Sequence, residues 1–373
     1  AQNTVTFVLQ DYKGFLWFGS YGGLNRYDGN KIKQYRNDVN DSTTLTSKAI
    51  KWIHEDRHKN LWIGCYNGGL HKYVRDKEEF ISYPNPLDNE ASGNLDNILN
   101  IAEDSSGILW IGSEGGLSSF DPKSGKYLKH YYDFVDDPGN INAREVFCSY
   151  IDAQNNLWLG LRKKFGLFDK KTGRFTTYIN NPNYSFNYIL QDKHKNFWLS
   201  TINNGVIEFN IDRGIIHQYS SANKSNPKLS SDNTFILYED DKDNIWVGTK
   251  GGGITFLDTK KNTAEYLFHD VSNPFSISNN SIYAFYKDRS GVLWIGTDLG
   301  ANSVDMNKKQ FKSLILYQDR TQIHNDVLIS SIEKDTKGNF WFGTWGMGIY
   351  KYNPSTKKRS EEHTSELQSP CNL

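Results

Sequence analysis

LWIGT at residues 293–297 is one of eight copies of a short pattern in which an aliphatic or aromatic residue, Trp and an aliphatic or aromatic residue precede Gly or Ser. The other copies are LWFGS (16–20), LWIGC (61–65), LWIGS (109–113), LWLGL (157–161), FWLST (197–201), IWVGT (245–249) and FWFGT (340–344). Successive tryptophans of the pattern are 45, 48, 48, 40, 48, 48 and 47 positions apart. A strand pattern that recurs every forty to fifty residues or so is typical of a β-propeller or a similar repeat array.

Each repeat reads as four short strands. Apolar residues around the Trp alternate with the period of a strand, and both faces are apolar. An Asp-led turn such as Asp104 to Gly107 precedes the Trp strand, and a Gly-rich turn such as Gly115-Gly116 follows it. In such a turn Asp accepts amide hydrogens, and Gly adopts positive φ. One four-stranded meander cannot bury two apolar faces, so the sequence predicts an all-β fold of four-stranded antiparallel blades stacked around an axis.

The repeat count suggests more than one body. We predict a seven-bladed β-propeller over residues 1–318, closed by a strand from Phe311 to Tyr317, and the first blade of a second, truncated propeller over residues 319–358. A single eight-bladed propeller is the alternative, because the period fits both. Residues 359–370 read RSEEHTSELQSP, break the repeat and resemble the translation of a sequencing-library adapter. We therefore interpret residues 359–373 as a non-native tail that packs against nothing, with a natural polar tail as the alternative.

Composition excludes several functions. Lys+Arg and Asp+Glu both number 43, so the chain has no overall basic field and we expect no nucleic-acid partner. No apolar run approaches the ~20 residues that span a bilayer, and no signal peptide precedes the first repeat, so we expect Ala1 to open a mature chain or a fragment. The three cysteines give no disulfide framework, and we expect no bridge between Cys65 and Cys148.

The first repeat also resembles a known family. Gly14-Phe15-Leu16-Trp17-Phe18-Gly19, followed by Gly23-Leu24-Asn25-Arg26-Tyr27-Asp28-Gly29, resembles the first of the two-component regulator propeller repeats of hybrid sensor proteins. The likeness covers residues 3–358, although the Gly-Gly turn of blade four is replaced by Leu161-Arg162-Lys163-Lys164-Phe165-Gly166. The resemblance implies the periplasmic sensor region of an inner-membrane protein, which binds glycan-derived oligosaccharides and controls a downstream kinase and transcription.

The same resemblance sets the expected partners. It implies a homodimer in the full-length receptor, and contact with a membrane only through downstream segments that this chain lacks. A protein–protein interaction or dimerisation scaffold that binds no small ligand is the alternative function.

One position varies between repeats while its neighbours keep to type. It directly follows each Trp strand, and in a seven-bladed body it forms what we call the variable ring, made of Tyr21, Tyr66, Glu114, Arg162, Ile202, Lys250 and Asp298. The ring lies at the end that carries the long connectors, and such loops usually carry function. We predict that the ligand-binding residues are Tyr21, Tyr66, Glu114, Arg162, Lys163, Lys164, Lys250 and Asp298.

The chemistry of these side chains suits a saccharide. Tyrosine faces stack on sugar rings, and Arg and Lys pair with carboxylate or sulfate groups. The alternative is that the residues are exposed loop positions that vary freely. We expect the repeat tryptophans to pack between blades, and Trp52, which lies outside the repeat position, to be a buried packing residue as well.

We expect no catalysis, cofactor or metal. Glu114 and Asp298 come from blades three and seven, so their separation should exceed the ~5–9.5 Å that paired glycosidase carboxylates require. No nucleophile elbow, phosphate loop or kinase signature is present in the sequence. The acidic run from Asp240 to Asn244 lacks the Gly and terminal Glu of a calcium loop, and Lys242 would oppose a cation. The histidines include no pair at zinc spacing.

Overall fold

The computed structural model describes residues 4–86, 94–132, 144–222, 227–273, 275–306, 329–344, 348–356 and 358–362. All regular structure in these residues is β-strand, which confirms the all-β prediction. Across the same part of the chain, no helix has the length and apolar character needed to cross a membrane. The chain divides into two compact units, residues 1–307 and 308–373.

The first unit contains seven repeats. Repeats 1 to 3 consist of β1 (Val5–Gln10), β2 (Leu16–Ser20), β3 (Gly23–Tyr27), β4 (Ile32–Tyr35), β5 (Ile50–Glu55), β6 (Leu61–Cys65), β7 (Gly69–Val74), β8 (Glu79–Tyr83), β9 (Ile98–Glu103), β10 (Leu109–Ser113), β11 (Gly116–Asp121) and β12 (Lys126–Tyr131). Repeats 4 to 7 consist of β13 (Val146–Ile151), β14 (Leu157–Phe168), β15 (Phe175–Gln191), β16 (Phe197–Thr201), β17 (Val206–Asn210), β18 (Gly214–Tyr219), β19 (Thr234–Glu239), β20 (Ile245–Thr249), β21 (Ile254–Asp258), β22 (Thr263–Leu267), β23 (Ile282–Lys287), β24 (Val292–Thr297) and β25 (Gly300–Asp305).

Repeats 1, 2, 3 and 6 are four-stranded antiparallel meanders, as predicted. Repeats 4 and 5 share one six-stranded sheet, because β15 pairs with β14 through partners between residues 175 and 185 and with β16 through residues 186–191. Repeat 7 has three strands within the described residues. The predicted closing strand from Phe311 to Tyr317 and the predicted boundary at 318/319 lie outside the described residues.

The Asp that leads each turn also binds the tryptophan of its repeat. In repeat 2, Oδ1 of Asp56 accepts the backbone N–H of His58 and of Asn60, each at 2.9 Å. Oδ2 of Asp56 accepts the indole N–H of Trp62 at 2.8 Å. An equivalent Asp–Trp bond occurs in all eight repeats, at 2.8–3.3 Å. This hydrogen bond connects the turn between the first and second strands of a repeat to the tryptophan of the second strand.

In the first unit, the repeat tryptophans pack between neighbouring blades, as expected. The ring of Trp17 lies 4.9 Å from that of Tyr73 in repeat 2, and the ring of Trp62 lies 5.2 Å from that of Phe120 in repeat 3. The glycine two positions after the Trp allows this close approach. A Cβ atom on Gly64 would lie only 2.6 Å from Cγ2 of Ile98 in the next blade.

Repeat 7 packs against repeat 1 through the same kinds of contact. The rings of Trp294 and Phe18 are 5.5 Å apart. The backbone N–H of Arg289 donates to Oε1 of Gln10 at 3.0 Å, which matches the bond at 3.1 Å from Tyr12 in repeat 1 to Oε1 of Glu55 in repeat 2. These contacts support the seven-bladed count, which stays a prediction.

The second unit contains one four-stranded antiparallel sheet among its described residues. Its strands are β26 (Ile329–Lys334), β27 (Phe340–Thr344), β28 (Ile349–Asn353) and β29 (Lys358–Glu362). The backbone of β29 pairs with β28, so the expectation that residues 359–373 pack against nothing is wrong for residues 359–362. Residues 363–373 lie outside the described part of the chain, and the non-native origin of the tail stays a prediction.

Candidate functional site

A β-bulge recurs in the first strand of every repeat. The register of β1 skips one residue between Val5 and Phe7, and that of β5 skips one between Ile50 and Trp52. A bulged residue has no partner on the adjacent strand, and bulges near binding sites redirect side chains. The bulged residues of the first unit are Thr6, Lys51, Leu99, Phe147, Asn187, Phe235 and Tyr283.

All seven bulged residues line one cavity of about 590 Å³, which we call the central cavity. Its other lining residues come from the same first strands and from the variable ring. The lining combines aromatic side chains with a few polar groups, and the volume lies within the ~300–1,000 Å³ usual for small-molecule sites. The repeat architecture therefore directs one side chain per blade into one space.

A chain of polar contacts crosses repeats 1 to 3 at the edge of this cavity. Nζ of Lys51 donates to the hydroxyl of Tyr21 at 2.7 Å. The hydroxyl of Tyr66 donates to Oε1 of Glu114 at 3.0 Å, and the side-chain amide of Asn97 donates to Oε2 at 2.6 Å. The hydrogen bond to Glu114 raises the pKa of Tyr66 above its usual value. At neutral pH the Tyr66 hydroxyl is consequently protonated and acts as a donor.

A second cluster lies at repeats 6 and 7. Burial, followed by the charge of Asp298 and a hydrogen bond to it, raises the pKa of Tyr283 to about 12. Oδ1 of Asp298 also accepts the hydroxyl of Thr4 at 3.2 Å, which links repeat 7 to repeat 1. The ring of Phe235 meets that of Tyr283 edge-on at 5.4 Å. Phe235 and Tyr283 thus form a half-buried aromatic surface, and the Tyr283 hydroxyl is hydrogen-bonded to the Asp298 carboxylate.

The structure brings together only part of the predicted ligand-binding set. Tyr21, Tyr66 and Glu114 line the central cavity, and Asp298 contacts its lining residue Tyr283. The remaining predicted residues do not line it; they are Arg162, Lys163, Lys164 and Lys250.

These basic residues have other surroundings. Arg162 is exposed and pairs through Nη2 with Oε2 of Glu145 at 2.5 Å. Its guanidinium also lies 5.5 Å from the ring centroid of Phe147, which lines the cavity. Lys163 is exposed at a φ of 70°, Lys164 is buried, and Lys250 is exposed. None of these four basic residues therefore belongs to the cavity lining.

The acidic residues weighed for catalysis or metal binding are engaged by protein donors. Glu114 accepts hydrogen bonds from Tyr66 and Asn97, whereas Asp298 accepts them from Thr4 and Tyr283. Asp243 pairs with Lys260 at 2.8 Å. Within the described ranges, no group of three or more His, Cys, Asp or Glu side chains is arranged to hold a metal ion.

Sequence reasoning missed the bulged residues. Trp52 packs against the core as expected, but its ring is half-buried rather than fully buried. It also lines the central cavity and lies 4.5 Å from the ring of Phe7. A signal was present in the repeats. The bulged position is Thr, Lys, Leu, Phe, Asn, Phe and Tyr in succession, and in five of the seven repeats it directly follows an aliphatic residue, as Lys51 follows Ile50. The position before the bulge is largely aliphatic across the repeats, whereas the bulged position varies. This contrast indicates that packing between blades does not determine the bulged side chain.

Three segments of the chain, residues 92–115, 228–251 and 276–298, match the family model described as two component regulator propeller. These segments lie in repeats 3, 6 and 7, and the match confirms that the chain resembles this family. A curated protein, histidine kinase P4 of Formosa agariphila, is 44% identical over 46 residues, which are 12% of this chain and 3% of that protein.

Solved structures show the fold of these propeller repeats. Virginiamycin B lyase from Staphylococcus aureus matches with a TM-score of 0.59 and 16% identity, over 81% of this chain and 94% of that chain. This likeness concerns the fold alone, and it confirms the predicted β-propeller. The extracellular domain of a protein assigned as a one component system of B. thetaiotaomicron matches with a TM-score of 0.43 and 22% identity. That match covers 96% of this chain and 54% of that chain, so the chain spans about half its length.

Proposed function

We propose that this chain is the ligand-sensing region of a hybrid two-component system and that its central cavity binds a glycan-derived oligosaccharide. The observation that carries the proposal is the convergence of seven bulged side chains on one cavity. The scaffold repeats, but these side chains differ in size, charge and polarity. Such diversity on a constant backbone is expected of a recognition surface.

The lining suits a sugar ring in two ways. The half-buried rings of Trp52 and Tyr66 offer apolar faces for the C–H surface of a pyranose. Asn187 and Glu114 offer amide and carboxylate groups that can hydrogen-bond sugar hydroxyls. Ligand sites commonly combine aromatic walls with a few placed polar groups of this kind.

The wider role follows from the propeller repeats. We propose an extracytoplasmic location, in the periplasm, and control of a downstream kinase and transcription in a dimeric receptor. We propose binding without catalysis, because both candidate acids already accept hydrogen bonds from the protein, Glu114 from two donors and Asp298 from two others.

Calorimetric titration of the chain with a panel of neutral and acidic oligosaccharides tests this function. We expect at least one member to bind, and we expect Tyr66→Ala and Asn187→Ala each to weaken that binding about tenfold or more. Tyr132→Ala is the matched control, because Tyr132 is exposed at the outer end of repeat 3 and should leave affinity unchanged. Binding of no oligosaccharide, together with concentration-dependent self-association, would favour the interaction-scaffold function instead.

A further inference from the structure

Lys51 occupies an unusual position for a lysine. It is half-buried in the bulge of β5, lines the central cavity, and places Nζ 4.7 Å from the ring centroid of Tyr21 and 5.8 Å from that of Tyr66. Among the described residues, no carboxylate oxygen lies within 4.0 Å of its Nζ atom. Withdrawing an ammonium from water without a counter-ion is unfavourable, so an anion at this point would be stabilised.

The hydrogen-bonding capacity of Lys51 is also incompletely used. An ammonium group carries three N–H donors. One donates to the hydroxyl of Tyr21 at 2.7 Å, and the structure shows no second protein acceptor for Nζ among the described residues. Two donors are consequently available to a group that enters the cavity beside the tyrosine rings.

Glu114 is the one acidic side chain in the cavity lining of the described residues, and it does not neutralise Lys51. Its Oε1 atom accepts Tyr66 and its Oε2 atom accepts Asn97. Tyr66 therefore links the two charged groups, presenting its ring to Lys51 and its hydroxyl to Glu114. The carboxylate is satisfied by neutral donors, whereas the ammonium lacks an acceptor of opposite charge.

We propose that Lys51 binds an acidic group of the ligand, either the carboxylate of a uronic acid or the sulfate ester of a sugar. The inference rests on the proposed saccharide-sensing function and names the class of saccharide. The acidic group accepts the two available N–H donors of Lys51, and the adjoining sugar ring lies against Tyr66 and Trp52. Charge-assisted hydrogen bonds of this type are about twice as strong as neutral ones, so they discriminate strongly against an uncharged ligand.

The test uses three matched probes and the full chain. Trigalacturonic acid, galactotriose and 6-sulfated galactotriose are titrated calorimetrically into the wild-type protein and into Lys51→Met. This variant keeps an unbranched side chain one atom shorter and removes the charge. We expect wild type to bind one or both acidic probes about 10- to 100-fold more tightly than galactotriose. Preference for the first acidic probe assigns a carboxylate, and preference for the sulfated one assigns a sulfate ester.

The variants separate charge from folding. In Lys51→Met the preference for an acidic probe over galactotriose should disappear. Lys51→Arg should retain that preference within a few fold. Lys13→Met is the control, because Lys13 is exposed in the Asp-led turn at the opposite end of repeat 1. Equal binding of acidic and neutral probes by wild type would overturn the role of Lys51 and leave saccharide sensing intact. If a wider oligosaccharide panel also failed to bind, the sensing function itself would be wrong.

Discussion

Replacing Asp56 with Ala should lower the free energy of unfolding by about 3 kcal/mol. Asp56 is 2% exposed and accepts four hydrogen bonds at 2.8–2.9 Å, two from backbone amides, one from the Asn60 side chain and one from the indole of Trp62. Trp62 is 0% exposed, so its indole N–H cannot turn to water when the acceptor is removed. An unsatisfied buried donor costs about 1–3 kcal/mol, and the loss of charge-assisted turn bonds adds to it.

Guanidinium denaturation followed by far-ultraviolet circular dichroism measures this change. A double-mutant cycle with Trp62→Phe isolates the Asp–Trp bond, and we expect a coupling of about 1–2 kcal/mol. Asp76→Ala is the control, because Asp76 is exposed, and it should cost less than about 0.5 kcal/mol. A cost for Asp56→Ala no larger than that of the control, or zero coupling, would refute the reasoning.

Three other residues give further predictions, on acid stability, blade packing and ligand affinity. Burial alone would raise the pKa of Asp104, but the hydrogen bonds it accepts from Ser106 and Trp110 outweigh burial and hold that pKa below its ordinary 3.8. The stability that the ionised Asp104 contributes is therefore fully present above about pH 3.8 and is lost as the pH falls through the lowered pKa. The melting temperature of wild type should consequently fall more steeply in acid than that of Asp104→Asn. A Cβ atom on Gly296 would lie 2.7 Å from the carbonyl oxygen of Val5. Gly296→Ala should therefore lower the free energy of unfolding by about 1–3 kcal/mol in the same denaturation assay. An unchanged denaturation midpoint would argue against the packing of repeat 7 on repeat 1. Arg162→Ala should change saccharide affinity in calorimetry by less than about threefold, because its guanidinium pairs with Glu145 and meets the cavity only through the ring of Phe147. A large loss of affinity would instead place the binding site at the variable ring.

Much of the fold could be predicted because its determinants are local. The strand period around Trp62 and the turn chemistry from Asp56 to Asn60 are encoded within a few residues and repeat along the chain. The indole bond to Asp56 could not be read from the sequence, since it requires the relative position of two strands. The six-stranded sheet of repeats 4 and 5 was likewise not predicted, although the missing Gly-Gly turn at Leu161 to Gly166 marked the departure.

The candidate site was predicted less well for a reason of register. The variable ring correctly indicated Tyr21, Tyr66 and Glu114, which line the central cavity. Lys51 and Trp52 were missed because a bulge changes which face a residue occupies, and a bulge is a property of strand pairing. Variation between repeats also indicated the basic loop residues Arg162, Lys163, Lys164 and Lys250, which the structure leaves out of the cavity lining.

The most direct test of the central claim is a crystal structure of the chain with the tightest-binding oligosaccharide of the panel. The account predicts a sugar in the central cavity, with one ring against Tyr66 and an acidic group within hydrogen-bond distance of Nζ of Lys51. A sugar bound outside the central cavity, with that cavity filled only by water, would contradict it.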